Sequence, residues 1–163
     1  MAKDAKAPQK LLDILSNYDD CKESVAMNKN THPKTLDKLA NDNDSNILEG
    51  VAGNRNTSPE TLDKLAEDPD MLVVDNVVRN PNTSAETLDK LSKEKADYIR
   101  YGVAWHKNTS AKTLDKLSGD KNWDVRYGVV QHPNTSIETL KKLSNDQDES
   151  VRGKALFYLK KKQ

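Results

Sequence analysis

The chain has 163 residues, a length typical of one domain, and its 26 basic residues balance 26 acidic ones. A formal net charge of zero argues against a dedicated nucleic-acid or anionic-membrane binder, and a single cysteine, Cys21, excludes an intramolecular disulfide framework or a multi-cysteine metal site. The apolar fraction of 34% is low for one round core, but it suits a stack of repeats that each bury only a strip of surface.

The first segment, residues 1–27, is predicted to be a degenerate terminal copy of the repeat that caps the N-terminal side. Pro8 fits the first turn of a helix, where a missing N–H does no harm. Cys21 occupies the slot that Ile47 and Val73 fill in later copies, so we interpret it as a small buried hydrophobe. The sequence contains no secretion signal and no apolar run of membrane-spanning length, which predicts a cytoplasmic protein.

From residue 28 onward the sequence repeats itself every 26 residues. An Asn-Thr pair, two leucines three residues apart and two apolar slots four residues apart return in register five times. A fixed period of this size is the signature of a solenoid of helical repeats. We therefore predict one all-α repeat domain over residues 1–163, with a cap at each end. The repeats span residues 28–53, 54–79, 80–105, 106–131 and 132–157.

Each repeat is predicted to begin with a short helix. In the second full copy, Thr57 and Glu60 have the spacing of a capping box, in which the Thr caps a backbone N–H and the Glu reaches back. Leu62 and Leu65 then form one apolar face. Equivalent pairs recur at Thr83 with Glu86 and at Thr135 with Glu138.

A polar elbow, rich in Asp and Asn, leads to a second helix. These residues are natural N-caps, and Val73 and Val77 follow at the i, i+4 spacing of one buried face. The second helix is too short to be stable alone, so its stability must come from stacking. The Asn of each Asn-Thr pair, such as Asn56, satisfies a glycosylation sequon in most copies. We interpret it as a side-chain amide that bonds the backbone in the bend between repeats.

The helical pattern of the fifth copy continues past the position where the second helices of the other copies end. The segment from Ser150 to Leu159 continues an amphipathic helix into a run of lysines. We predict a C-terminal capping helix with a basic tail, residues 158–163, whose lysines favour the negative end of the helix.

The repeat resembles the leucine-rich repeat variant family. The segment that carries the resemblance best runs from Asp124 through Val125, Arg126, Val129 and Val130 to Pro133, Asn134 and Thr135, then on to Leu140 and Leu143. The second-helix half also resembles the wider HEAT-like group. The resemblance implies a right-handed α-solenoid of paired helices without strands, and it implies no activity. A founding type of the family carries an iron–sulfur cluster on several cysteines, and a single cysteine implies that this chain lacks it.

Aromatic residues concentrate in the third and fourth repeats, where both tryptophans and three of the five tyrosines lie between Tyr98 and Tyr127. Earlier copies place Glu49 and Asp75 in the slot of Tyr101, which predicts rings that are partly exposed. Tyr and Trp beside Arg is the composition of interface hot spots. The alternative is that the rings cover gaps between repeats. The predicted partner site comprises Tyr98, Arg100, Tyr101, Trp105, His106, Trp123, Arg126 and Tyr127, with Arg100, Arg126 and His106 at its rim.

The arginines of this site allow two interpretations. Arg100, Arg126 and Arg152 occupy one slot of successive repeats. They could line a groove for acidic ligands, or they could bond the elbow acids Asp120 and Asp146 and lock adjacent repeats together.

No catalytic, phosphate-binding or metal-binding arrangement stands out in the sequence. His106 and His132 share a loop slot without a third ligand, so we predict no metal, no cofactor and no enzymatic activity. The predicted function is a non-enzymatic scaffold that binds a protein or peptide through an aromatic and arginine face on repeats three and four. The alternative is a HEAT-like nucleic-acid binder, in which the tryptophans and arginines of that face would hold backbone and bases.

Overall fold

A computed structural model describes residues 8–161, and every regular element in that range is an α-helix. The chain divides into two compact units, Met1–Ser84 and Ala85–Gln163. The first residues of the predicted N-terminal cap, 1–7, and the end of the predicted basic tail, 162–163, lie outside the described residues. The all-α prediction is confirmed.

The first unit pairs a short helix with a longer one three times. Its helices are α1 (Gln9–Leu15), α2 (Asp19–Ala26), α3 (Pro33–Leu39), α4 (Ser45–Gly53), α5 (Pro59–Leu65) and α6 (Met71–Arg79). Helix α4 packs between α2 and α6, and each first helix packs against the second helix of its own repeat.

The second unit repeats the pattern. Its helices are α7 (Ala85–Leu91), α8 (Asp97–Trp105), α9 (Ala111–Leu117), α10 (Trp123–Gln131), α11 (Ile137–Leu143) and α12 (Glu149–Lys161). Helix α10 packs between α8 and α12, so the second helices form a layer of neighbours. Helix α12 is longer than its equivalents, as the continued amphipathic pattern predicts.

The core of each unit is the strip between the two helix layers. Leu62 and Leu88 of the first helices are fully buried, as are Val77 and Val103 of the second helices. Helices of seven and nine residues are marginal in water alone, so burial of this leucine and valine strip is what stabilises them.

The N-caps of the first helices differ from the sequence prediction. Thr57 does not begin α5, because its hydroxyl donates backward to the carbonyl of Val51 in the last turn of α4, at 2.5 Å. The cap is Ser58, whose Oγ accepts from the backbone N–H of Thr61 at 3.2 Å. The capping-box prediction was wrong because two adjacent hydroxyls follow the Asn in four of the five copies, and the first one satisfies the preceding helix.

The second helices begin as the polar elbows predict. Asp70 caps α6 by accepting from the N–H of Leu72 at 2.9 Å, and Asn122 caps α10 by accepting from the N–H of Asp124. Ala96, which precedes α8, has no side chain that can do this.

Buried amides join consecutive repeats where the second helices end. Asn54 donates to the carbonyl of Ala26, the last residue of α2, at 2.6 Å and to the carbonyl of Asn28 at 2.9 Å. Two residues on, Asn56 donates to the carbonyls of Lys29 and Thr31, as the sequence interpretation predicts. These bonds satisfy carbonyls that a helix end would otherwise leave without a partner.

Candidate aromatic surface on the second unit

Five rings lie on the outer side of two neighbouring helices of the second unit. Four are exposed, with relative accessibilities between 43% and 47%, and the fifth is half-buried. Glu49 and Asp75, which hold equivalent slots in the first unit, also lie on the partly accessible side of their helices. We call these rings the aromatic surface: Tyr98, Tyr101 and Trp105 on α8, and Trp123 and Tyr127 on α10.

The rings are held in pairs along each helix. Tyr101 and Trp105 are one turn apart, with ring centroids 6.0 Å apart and planes tilted by 50°. Trp123 and Tyr127 repeat the spacing on α10, with centroids 6.2 Å apart in an edge-on arrangement. Both geometries are favourable for aromatic pairs, so each ring restricts the rotamers of its neighbour.

Gly128 brings the two pairs onto one surface. A Cβ atom at this position would lie 2.8 Å from Nε1 and 3.0 Å from Cδ1 of the Trp105 indole. The indole therefore rests directly on the backbone of α10, beside Tyr127. Any larger residue at Gly128 would displace the ring, because the Ala104 Cβ already fills the other side at 3.1 Å.

The structure places Arg100 beneath this surface. Its guanidinium donates from Nε to Asp120 Oδ2 at 2.6 Å and from Nη2 to Asp120 Oδ1 at 3.1 Å. The Nη1 group donates to the carbonyls of Glu94 and Lys95 in the elbow before α8. All three nitrogens of the Arg100 guanidinium thus donate hydrogen bonds to acceptors within the protein itself.

Arg126 repeats the arrangement one repeat later. It donates to both carboxylate oxygens of Asp146, at 2.7 and 2.8 Å, and to the carbonyl of Asp120 at 2.8 Å. Burial pushes the pKa of the Asp146 carboxyl upward, but the Arg126 guanidinium and the backbone N–H of Asp148 hold that pKa below its usual range. The hydrogen bond that Arg126 donates to Asp146 in turn raises the pKa of Arg126.

The predicted rim of the site therefore needs correction. Arg100, Arg126 and His106 are all buried, with no more than 8% of each residue accessible, so they do not edge the aromatic surface. Of the two interpretations offered for the arginines, the lock between adjacent repeats is the one that the structure bears out for Arg100 and Arg126.

The histidines take the place that asparagine holds in the first unit. His132 Nδ1 accepts from the N–H of Asn134 at 3.1 Å, so its Nε2 carries the proton that bonds the carbonyl of His106 at 2.9 Å. His106 likewise accepts through Nδ1, from the N–H of Asn108. Within residues 8–161, no group of three His, Cys, Asp or Glu side chains is placed to hold a metal ion.

Two open grooves adjoin the aromatic surface at the N-terminal end of α10. The α8–α10 groove, about 390 Å³, is lined by Asp97, Tyr98, Tyr101, Asn122 and Asp124. The α10–α12 groove, about 740 Å³, shares Asp97, Asn122 and Asp124 and adds Lys121, Trp123, Arg126, Gln147 and Asp148. The rings of the surface thus border depressions that contain carboxylates.

Sequence analysis did not single out Asp97, Asp124 or Asp148 as site residues. Each lies in the elbow or first turn of a second helix, where an acidic residue is ordinary because it favours the positive helix end. The available signal was their position beside the exposed rings, since Asp97 immediately precedes Tyr98 and Asp124 immediately follows Trp123.

Paired helices in a repeating arrangement, without strands in residues 8–161, define a helical-repeat protein of the α-solenoid class. A solved structure described as a leucine-rich repeat variant with a novel repetitive structural motif has this fold. It matches 93% of the chain at a TM-score of 0.71 and 23% sequence identity, and the chain spans 61% of the length of that structure. The resemblance to the leucine-rich repeat variant is thereby confirmed at the level of the fold.

An engineered protein of known structure matches less well, at a TM-score of 0.47 and 16% identity over 98% of this chain and 85% of its own. No protein-family model matches the sequence, and no curated protein matches it. None of the helices between residues 8 and 161 has both the length and the apolar character required to cross a membrane.

Proposed function

We propose that this protein is a non-enzymatic helical-repeat scaffold that binds a protein or peptide segment through the aromatic surface. The observation that carries the proposal is the exposure of Tyr98, Tyr101, Trp105 and Trp123, each more than two-fifths accessible, on two neighbouring helices. Rings of this size contribute most to stability when they are buried, so a cluster left at the surface favours contact with a partner.

The way the rings are held also supports a binding role. Trp105 rests on Gly128, and its partner ring Tyr101 lies one turn away on the same helix. Side chains that are ordered before binding lose less conformational entropy when a partner arrives. Tyr and Trp are, moreover, the residues that most often contribute the binding energy of interfaces.

Nucleic-acid binding is the weaker alternative. It depends on free cations near the rings, and Arg100 and Arg126 have their guanidinium groups engaged by Asp120 and Asp146. Phosphates would also meet carboxylates in both grooves. A cytoplasmic location remains a prediction from the sequence and forms part of the proposal.

Selection from a random peptide library tests the proposal without a known partner. Displayed peptides are panned against the protein, and the enriched sequences are measured against the variant Tyr101→Ala/Trp105→Ala/Trp123→Ala. We expect enriched peptides that compete for one site and lose at least about tenfold in affinity with the triple variant, because hot-spot truncations cost ~2 kcal/mol or more.

Leu72→Ala supplies the matched control. Leu72 is 60% exposed and holds, in the first unit, the slot that Tyr98 holds in the second. This variant should bind the selected peptides as the native protein does. Enrichment of peptides that bind the triple variant equally well would show that the aromatic surface is not the binding site.

A further inference from the structure

We propose that the segment bound by the aromatic surface is basic, and that its arginine or lysine side chains enter the two grooves beside the rings. This inference rests on the proposed function and names the chemistry of the partner. The observation behind it is the combination of exposed rings with carboxylates in the α8–α10 and α10–α12 grooves.

The charge of the grooves is negative. Asp97, Asp124 and Asp148 contribute three negative charges and Lys121 one positive charge, which leaves a net of −2. Arg126 also lines the larger groove, but its charge is already neutralised by a two-point ion pair. An incoming cation therefore meets uncompensated carboxylates, whereas an incoming anion meets repulsion.

Hydrogen bonds hold two of these three carboxylates in place. Asn122 donates from Nδ2 to Asp97 Oδ2 at 2.8 Å, across from α10 to α8, while its own Oδ1 caps α10. Asp148 is fixed as the cap of α12 by the N–H groups of Ser150 and Val151. No hydrogen bond or ion pair within residues 8–161 engages the carboxylate of Asp124, so it is free for an external cation.

Rings and carboxylates together recognise cationic side chains in particular. The aliphatic stem of Arg or Lys packs on a ring face while the charged head reaches a carboxylate. Arginine suits such a site better, because its planar guanidinium stacks on Tyr or Trp and still donates two parallel bonds to one carboxylate. Tyr98 and Tyr101 line the first groove, and Trp123 lines the second.

The spacing of the grooves favours an extended segment with two cations. Stacked neighbouring helices lie roughly 8–10 Å apart, and an extended chain in the polyproline II conformation advances about 3.1 Å per residue with three residues per turn. Side chains three residues apart thus point to the same side of such a segment and lie about 9 Å apart. A chain that crosses α8 and α10 could place one arginine in each groove.

The test uses the two indole N–H signals of isotope-labelled protein, assigned with Trp105→Phe and Trp123→Phe. The probe is the capped tetrapeptide Arg-Gly-Gly-Arg, and its neutral twin carries citrulline in place of both arginines. We expect the Trp123 signal to shift with saturation on addition of the arginine peptide. The citrulline peptide should bind more weakly by about fivefold or more, since it keeps the shape but loses the charge.

Paired variants separate local charge from net charge. Asp97→Asn/Asp124→Asn should weaken the arginine peptide by roughly 2- to 20-fold, the range expected for two exposed ion pairs. Glu60→Gln/Glu138→Gln removes the same net charge from exposed sites on first helices, and it should leave the affinity unchanged. Raised salt should weaken binding of the arginine peptide to the native protein.

Three results would overturn the inference: no saturable shift with the arginine peptide, equal affinity for both peptides, or displacement of the arginine peptide by oligothymidylate. The library selection distinguishes this failure from failure of the proposed function. Selected peptides that depend on Trp123 but contain no enriched Arg or Lys would leave the scaffold proposal standing and refute the basic partner.

Discussion

The buried pair of Arg126 and Asp146 allows the packing of the second unit to be tested, because removing one of its two charges should cost more than removing both. Replacing Asp146 by Asn removes the charge but keeps the shape, and it leaves Nε and Nη2 of Arg126 without a carboxylate. Removing one partner of a buried pair costs about 3–5 kcal/mol, because an uncompensated charge stays buried. Since Nη1 keeps its bond to the carbonyl of Asp120, we expect the lower end, about 3 kcal/mol.

Removing both charges should be milder. Leu48 and Val74 fill the slot of Arg126 in the first unit, and both are buried there. Leu48 therefore shows that an apolar residue suits this slot. The double variant Arg126→Leu/Asp146→Asn leaves no charge buried, and the amide oxygen introduced at position 146 can still accept from the backbone N–H of Asp148. We expect a loss of about 1–2 kcal/mol, because both members of the ion pair are replaced by uncharged groups.

The contribution of Asp146 should also depend on pH, in a defined direction. Its carboxyl has a pKa below its usual range in the folded protein, so the ion pair stabilises the fold fully above the unfolded value of about 4. That stability is lost as the pH falls through the folded pKa. The difference in unfolding free energy between native protein and Asp146→Asn should thus be constant near neutral pH and shrink below about pH 4.

Urea unfolding followed by tryptophan fluorescence measures these differences, because Trp105 and Trp123 both lie in the second unit. Asp146→Asn should lower the urea midpoint clearly more than Arg126→Leu/Asp146→Asn. If the double variant proves equally or more destabilising, the uncompensated charge does not govern the energetics, and the assignment of the lock to this pair is refuted.

Three further changes probe other parts of the molecule. Asn54→Ala should cost roughly 1–3 kcal/mol in urea unfolding followed by circular dichroism, since the carbonyls of Ala26 and Asn28 lose a buried donor; no change would mean that water replaces the amide. Leu88→Ala should cost about 2–5 kcal/mol, whereas Ile137→Ala, at an exposed position, should cost less than about 0.5 kcal/mol. Gly128→Ala should move the Trp105 indole signal while the protein stays folded, because only a side chain has to yield; an unmoved signal would contradict the close contact.

The periodicity predicted the helix pairs and their core, because each slot is sampled several times in one chain. Five copies place a leucine where Leu62 stands and an apolar residue where Val73 stands. Agreement of five copies at one fixed spacing is not expected by chance. The same comparison predicted exposed rings, since slots filled by Glu49 and Asp75 in other copies face solvent. Tyr101 follows that rule.

The errors arose where a side chain had two chemically equivalent choices. A threonine hydroxyl can cap the helix ahead or the one behind, and Thr57 bonds behind. Arg126 was predicted at the rim because its position lies about 100° from the rings around the helix. The slot comparison already contained the answer, because Leu48 and Val74 mark that position as buried. Where Asp146 would lie relative to the guanidinium depends on the elbow geometry, which no pattern of residue types specifies.

The side-chain hydrogen bonds between repeats run in one direction along the chain, and this direction matters during synthesis of the protein. Asn54 and Asn80 each donate to a carbonyl 28 residues earlier in the chain, and His132 in the second unit donates to one 26 residues earlier. Within each unit, a repeat therefore acquires the donor for its carbonyls only when the next one has left the ribosome. Nascent chains should consequently mature in steps from the N-terminal side, each repeat being held loosely until its successor closes the bond.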